Sequence, residues 1–120
     1  MSVKTLKPED LESFIGSENW YRHWLVPSII YTDGARYVAD TGGAHWLLDE
    51  IALAQKFNAK VKTEPFQMWK LEVSDSKGVL TCDDGDDNIV FTKEIPFTDF
   101  PLPEIKFYFT DNVILLPSEY

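Results

Sequence analysis

The sequence predicts an α+β fold, an antiparallel sheet of about six to seven strands with two helices packed on one face. Three observations support this prediction. A segment near the middle of the chain carries apolar residues at helical spacing, and several later segments have the β-branched and aromatic residues typical of strands. Helices and strands are also segregated along the chain. With 120 residues, of which 44% are apolar, the sequence indicates one domain over residues 1–120.

The main helix is predicted over residues 44–57. Its apolar positions recur at helical spacing and form one stripe: Ala44, Leu47, Leu48, Ile51 and Ala52. Asp40 or Thr41 is the expected N-cap, because either side chain can accept a hydrogen bond from a free helix N–H. Asn58 is the expected C-terminal stop. A shorter helix is predicted over residues 8–16, where a proline in the first turn is followed by two acidic residues.

A tight β-hairpin is predicted over residues 29–38, with its turn at Asp33-Gly34. Asp-Gly is a strong two-residue hairpin signal, because a type I′ turn requires positive φ at both central positions. We expect this hairpin to lead into the main helix. We also expect Gly34→Val to destabilise the protein, because a β-branched residue resists positive φ.

The second half of the chain is predicted to form a meander of strands. These strands cover residues 66–73, 79–82, 89–95, 105–109 and 113–116. Polar turns separate them at residues 75–78, 83–88 and 111–112, and a proline-rich connector covers residues 96–103.

Composition limits the classes of function. The net charge of −9 opposes direct binding to nucleic-acid phosphates and to anionic membrane surfaces. It favours a protein partner with a basic surface. The single cysteine, Cys82, excludes an internal disulfide and fits a cytoplasmic protein. No apolar run approaches the length that spans a membrane, and the first ten residues lack the apolar core of a signal peptide.

Two acidic clusters are the candidate binding residues. One is the turn with Asp83, Asp84, Asp86 and Asp87, and the other is the first helix with Glu9, Asp10 and Glu12. The turn lacks the ligand spacing and the late glutamate of an EF-hand, so a solvated turn is the preferred interpretation over a Ca²⁺ site. No metal or cofactor is expected.

The histidines suggest an alternative, a small enzyme or ligand-binding pocket formed by His23, His45, Asp49 and Asp99. His45 and Asp49 are four residues apart on the predicted helix, so the carboxylate could orient a general base. Such a site requires His23 to lie beside His45 in the fold. Neither Cys82 nor Ser118 lies in a pattern that activates a nucleophile.

Several segments together resemble a known family. They are residues 17–23 (SENWYRH), 31–34 (YTDG), 44–49 (AHWLLD), 98–102 (TDFPL) and 115–120 (LLPSEY). The set is similar to a family of small, uncharacterised bacterial proteins that is also found on phages and other mobile elements. The resemblance spans most of the chain and implies no established chemistry.

We therefore predict a binding protein that is not an enzyme. The leading hypothesis is a mobile-element accessory or anti-defence (anti-CRISPR-like) inhibitor that engages a basic protein surface, where carboxylates could take the place of phosphates. The sequence also holds five aromatic residues that could stack on bases, Trp20, Tyr21, Trp24, Tyr31 and Tyr37, but the acidic charge opposes this role and burial in the core explains them without a ligand. An aromatic and acidic surface that engages a protein is the stronger functional alternative, since aromatic residues are favoured interface anchors.

Overall fold

The structure, a computed structural model, describes residues 6–120. The helices are α1 (Pro8–Leu11), α2 (Asp33–Gly42), α3 (His45–Phe57) and α4 (Ala59–Lys62), with a 3₁₀ turn at Pro117–Glu119. The strands are β1 (Trp20–Arg22), β2 (Ile30–Thr32), β3 (Phe66–Ser74), β4 (Lys77–Asp83), β5 (Ile89–Ile95), β6 (Glu104–Thr110) and β7 (Val113–Leu115).

The seven strands form one mixed sheet in the order β1-β2-β7-β6-β3-β4-β5. Neighbouring strands are antiparallel except β2 and β7, which run parallel with Ile30 opposite Val113. The predicted α+β class and the positions of the strands in the second half are confirmed. The predicted meander is interrupted, because β6 pairs with β3 and not with β5, and the parallel pair was not predicted. In this order β1 and β5 form the two edges of the sheet.

The hairpin predicted at Asp33-Gly34 is wrong, because both residues lie in the first turn of α2. Thr32 is the N-cap of this helix, and its Oγ1 accepts a hydrogen bond from the Ala35 amide at 3.2 Å. Strand β2 ends at Thr32 and pairs with β1 instead of residues 35–38. The buried residues of α2 explain the helix, since they recur at helical spacing. They are Gly34, Ala35, Val38, Ala39 and Gly42.

The main helix is confirmed, since α3 covers His45–Phe57. Its predicted N-cap is wrong, because Asp40 and Thr41 belong to the last turn of α2 and Ala44 holds the N-cap position. Between the two helices Gly43 adopts a left-handed conformation with φ of 63°, which ends α2. Helix α1 is shorter than predicted and ends at Leu11.

The core lies between one face of the sheet and the helices α2 and α3. Side chains alternate along the central strands, so Trp69 and Leu71 of β3 are buried while the intervening Lys70 is partly exposed. Val38 of α2 and Ile51 of α3 are buried in the same apolar cluster. The predicted packing of helices on one face of a sheet is therefore confirmed, but the helix beside α3 is α2, which was predicted as a hairpin, and not the predicted helix of residues 8–16.

Candidate functional site

His23 is buried and fully hydrogen-bonded. Its Nε2 lies 2.8 Å from Asp49 Oδ1, and its Nδ1 accepts hydrogen bonds from the backbone amides of Leu25 and Val26 at 3.1 and 3.2 Å. Because Nδ1 is an acceptor, the proton of the neutral ring sits on Nε2 and is donated to Asp49. The ring thus joins the loop after β1 to helix α3, and neither nitrogen has a lone pair left to take a substrate proton.

The histidines do not share one set of partners. The pair predicted between His45 and Asp49 is replaced by a contact from His45 Nε2 to Asp40 Oδ1 at 2.6 Å, with both side chains about half exposed. Asp49 accepts instead from His23 and from the indole N–H of Trp24 at 3.0 Å. Asp99 lies apart from these contacts, in a surface pocket beside α3.

Two of the four aspartates of the acidic turn have structural roles. Asp83 is buried, and its Oδ1 accepts from the Gly85 amide at 2.7 Å. Asp84 accepts from the amide of Asp86 and from the backbone and side chain of Asn88. These hydrogen bonds, chiefly that from the Asn88 side chain, lower the pKa of Asp84. This leaves the exposed carboxylates of Asp86 and Asp87 for a partner.

The acidic cluster of α1 is divided in the same way. Asp10 Oδ2 accepts from the Tyr37 hydroxyl and from the Lys7 amide, each at 3.2 Å, so this carboxylate fastens α1 to α2. Glu9 and Glu12 are exposed.

Neither a metal cluster nor an activated thiol is evident in the part of the chain that is described. Residues 6–120 contain no group of three or more His, Cys, Asp or Glu residues that could hold a metal ion. Burial, with the neighbouring Asp83 carboxylate second, raises the pKa of the Cys82 thiol to about 12, so the group stays protonated and unreactive at neutral pH.

A surface between α3 and β5 was missed by the sequence reasoning. Two shallow pockets of about 420 and 280 Å³ lie along it. We call this surface the edge groove and define it by Trp46, Glu50, Leu53 and Phe57 of α3, Phe91, Lys93 and Ile95 of β5, and Phe97. Trp46, Leu53 and Phe57 recur at helical spacing outside the buried stripe of α3, and this second stripe is the signal that could have revealed the groove.

A single ion pair separates the two pockets. Lys93 Nζ lies 2.7 Å from Glu50 Oε1, and both residues line both pockets. Phe97, which is 71% exposed, borders the larger pocket, and Phe57, which is 76% exposed, borders the smaller one. Isolated exposed apolar residues are common, but here each of the two adjoining pockets has an exposed aromatic side chain at its border.

A family model covers almost the entire chain. It matches residues 5–120 and is described as a family of unknown function, DUF6876. The chain belongs to the DUF6876 family. A search of curated proteins and a search of solved structures each found no match. No helix in the described part of this DUF6876 protein is both long and apolar enough to cross a membrane.

Residues 17–21, which belong to a segment noted in the sequence, are held against the start of α2 in this DUF6876 protein. We call this set of contacts the loop clasp. Asp33 accepts hydrogen bonds from the amides of Glu18 and Asn19 and from the hydroxyl of Tyr21, which hold residues 17–21 against the start of α2. The hydrogen bond from Tyr21, followed by those from the two amides, lowers the pKa of the Asp33 carboxyl. Arg36 lies over the Tyr21 ring at 4.4 Å from its centroid.

The C-terminal segment also contacts the start of α2, through Glu119, and we call this set of contacts the C-terminal clasp. Glu119 accepts from the Thr32 hydroxyl at 2.6 Å, from the Leu116 amide at 2.9 Å and from the Gly34 amide at 3.1 Å. Its carboxylate thus lies at the positive N-terminal end of α2, where a negative charge is stabilised. Tyr120 packs against the rings of Phe66 and Tyr108.

Proposed function

We propose that this protein is a non-enzymatic binding protein that engages a basic surface on a protein partner. The observation that carries the proposal is the large number of carboxylates that form no ion pair with Lys or Arg. Of the 20 acidic residues in the sequence, ion pairs to Lys or Arg within residues 6–120 involve Asp40, Glu50 and Glu72. A net charge of −9 then produces a negative field that attracts basic partners and repels nucleic acid.

The histidine geometry supports binding over catalysis. A general base needs a free lone pair within reach of a substrate proton. His23 has both nitrogens engaged, and His45 pairs with Asp40 instead of Asp49, with both side chains about half exposed. Asp99 lines a pocket whose lining includes none of His23, His45 and Asp49, and this supports binding over an enzyme site shared by the four residues.

A narrower form of the proposal concerns the biological role. The resemblance to proteins of phages and mobile elements favours an accessory or anti-defence inhibitor, of the anti-CRISPR kind. Its carboxylates would occupy a basic groove that otherwise holds nucleic-acid phosphates. Such a partner is a nucleic-acid-binding protein of the bacterial host, and the place of action is the cytoplasm.

The first experiment identifies the partner and tests the charge mechanism. Tagged protein is used to capture partners from a bacterial lysate, and the association rate with the purified partner is measured across a salt series. Association should slow as salt rises, because the Debye length falls to about 8 Å at physiological ionic strength. The inhibitor role further requires that added nucleic acid competes with the protein for the partner.

Two matched double variants show where the charge acts. The test variant is Asp86→Asn with Asp87→Asn, which leaves the structural Asp83 and Asp84 intact. The control variant is Asp75→Asn with Asp111→Asn, which removes the same charge from two other exposed turns. Asp75, Asp87 and Asp111 all have positive φ, which asparagine tolerates, so the folds should survive.

The outcomes separate four possibilities. A slower association of the test variant alone assigns the contact to the acidic turn. An equal slowing of both variants means that the total charge steers the encounter. Salt-independent association that neither variant changes would show that the proposed charge mechanism is wrong. A partner whose covalent structure changes on incubation with the protein would support an enzyme instead.

A further inference from the structure

We infer that the free edge of β5 and the edge groove are the docking site for an extended segment of the partner, which adds to the sheet as an eighth strand. This inference rests on the proposed function and specifies the partner's contact. It commits to a segment with bulky apolar residues at positions i and i+4 and with a basic residue beside one of them.

The first argument is the exposed backbone of β5. The strand runs for seven residues, Ile89–Ile95, and pairs with β4 on one side. On its outer side no strand from residues 6–120 pairs with it. An edge strand presents unpaired N–H and C=O groups in a row, and these groups are the template for strand addition.

The second argument is the spacing of the two pockets. Phe91, Lys93 and Ile95 alternate along β5 on the face that α3 covers, opposite Cys82, Leu80 and Gly78 of β4. Phe91 lines the smaller pocket and Ile95 the larger one. Four residues of a strand span about 13 Å, so side chains at i and i+4 of an added strand would enter the two pockets. The residue at i+2 would lie over the Glu50–Lys93 ion pair.

The third argument is the charge along the edge. Glu94 and Asp99 are exposed at the Ile95 end, where they line the larger pocket. Lys93, the basic residue of the groove, is already paired with Glu50. Helix α4, which packs against β5, carries the basic residues Lys60 and Lys62 instead. A Lys or Arg of the partner is therefore expected beside the apolar residue that enters the larger pocket.

Charge also argues against a second copy of this chain as the occupant. Two copies would each bring a net charge of −9 to the interface. Exposed like charges within a Debye length repel, and nothing basic on β5 remains to offset this repulsion, because Lys93 is paired.

The test uses a random library of displayed 12-residue peptides selected on the purified protein. The expected result is enrichment of peptides with two bulky apolar residues at positions i and i+4 and with Lys or Arg next to one of them. In a synthetic copy of an enriched peptide, N-methylation of the backbone should weaken binding at least about tenfold, because it removes donors from the strand ladder. Moving one apolar residue by a single position should do the same, because it transfers that side chain to the opposite face.

Two groove variants and a matched control make the selection specific. Phe57→Glu should abolish the apolar preference at the position that enters the smaller pocket, and Phe97→Glu should abolish the preference at the other position. Ile15→Glu is the control, because Ile15 is 84% exposed and lies outside the edge groove, so its selected motif should match that of the wild type. All three side chains are largely exposed, so the folds should persist.

The outcomes also separate this inference from the proposed function. If no peptide motif is enriched on the wild type, or if both groove variants select the same motif as the wild type, the proposed docking site is wrong. If light scattering gives the mass of a dimer that Phe57→Glu converts to a monomer, the edge is occupied by a second copy and the inference is wrong. A salt-sensitive partner from the lysate that binds both groove variants like the wild type would leave the proposed function intact and reject this site.

Discussion

Gly34 lies in the first turn of α2, directly against the C-terminal clasp. A Cβ atom at this position would lie 2.5 Å from Glu119 Oε1 and 2.7 Å from Leu116 Cδ1. We expect Gly34→Ala to lower the free energy of unfolding by about 1–3 kcal/mol, as overpacking does, even though alanine favours a helix by roughly 1 kcal/mol. Urea unfolding measures the difference. The cause is steric crowding and not the positive φ of a hairpin turn.

The control for Gly34→Ala is Gly16→Ala, because nothing lies within 4 Å of a Cβ atom at Gly16. Its free energy of unfolding should remain close to that of the wild type. A double-mutant cycle with Glu119→Ala should show coupling, since removal of the carboxylate relieves the crowding. Equal effects at the two glycines would contradict the crowding argument.

The Asp33 carboxylate makes stability depend on pH at the acidic end. The hydrogen bond from Tyr21 lowers its folded-state pKa below the ordinary value of 3.8, so the folded protein binds this proton less readily than the unfolded chain. The resulting stabilisation is fully present above that ordinary value and is lost as pH falls through the folded pKa. The melting-temperature difference between wild type and Asp33→Asn should therefore be largest near neutral pH and shrink below about pH 4.

The matched control for this pH series is Asp111→Asn, which removes the same charge from an exposed turn. Subtracting its curve removes the contribution of net charge. A constant offset between wild type and Asp33→Asn across the whole range would mean that the loop clasp does not depend on the charge of this carboxylate.

At the scale of elements, Gln67 connects β3 to α3 and α4. Its side-chain nitrogen donates to the Val61 carbonyl at 2.8 Å and to the Glu64 carbonyl at 3.1 Å, and its oxygen accepts from the indole of Trp69 at 2.9 Å. Gln55 of α3 completes a reciprocal amide pair with it. We expect Gln67→Met, which keeps the volume and leaves these groups unpaired, to cost about 2–4 kcal/mol.

The control for the Gln67 network is Gln55→Met on the same amide pair. Gln55 is partly exposed, so water can replace its lost partner and the cost should be smaller. Hydrogen exchange measures the effect on each helix. In Gln67→Met, the backbone amides of α4 should begin to exchange faster before those of α3 do. Equal exchange of the two helices in both variants would contradict this role.

The acidic turn between β4 and β5 is held by its own hydrogen bonds. Asp83 and Asp84 direct their oxygens at neighbouring amides, so these oxygens are already satisfied. We expect calcium to leave the melting temperature at the value found with magnesium at equal ionic strength, because a specific native-state ligand must stabilise the fold. A calcium-specific rise, absent in the Asp86→Asn and Asp87→Asn variant, would establish a calcium site.

Sequence patterns predicted elements well where one periodicity dominated. Helix α3 and strand β3 have clear periods of 3.6 and 2, and both were placed within a few residues. Two segments, 75–76 and 111–112, form the turns of two-residue hairpins and have positive φ at both positions. The Asp33-Gly34 hairpin failed because Asp-Gly after a threonine also suits a helix N-terminus, and a distant residue, Glu119, completes that cap.

The candidate site was predictable only in its parts. Acidic residues are visible in a sequence, yet the structural roles of Asp83, Asp84 and Asp10 depend on which amides and hydroxyls come close in the fold. The pairing of His23 with Asp49 joins residues that are 26 positions apart. The edge groove depends on strand order, because only a chain folded with β5 outermost exposes that edge.

At the scale of the whole molecule, the net charge of −9 means that the negative charges of the folded protein repel one another and destabilise the fold. The Debye length shrinks from about 30 Å at 0.01 M salt to about 3 Å at 1 M, so this repulsion is screened while short-range ion pairs are affected less. We expect the melting temperature to rise by several degrees over this range, since about 1 kcal/mol shifts it by roughly 4 °C in a domain of this size. Differential scanning calorimetry in sodium chloride provides the measurement.

The variant with Asp75→Asn and Asp111→Asn provides the control, because its net charge is two units less negative than the −9 of the wild type. Its melting temperature should be higher at low salt and should rise less as salt is added. If the wild type instead melts at lower temperature in high salt, attractive ion pairs outweigh repulsion. The same salt series should slow association with a basic partner while it stabilises the fold. Salt screens both the attraction between the negative protein and its partner and the repulsion among the protein's own charges, so the effects on binding and on folding have opposite signs.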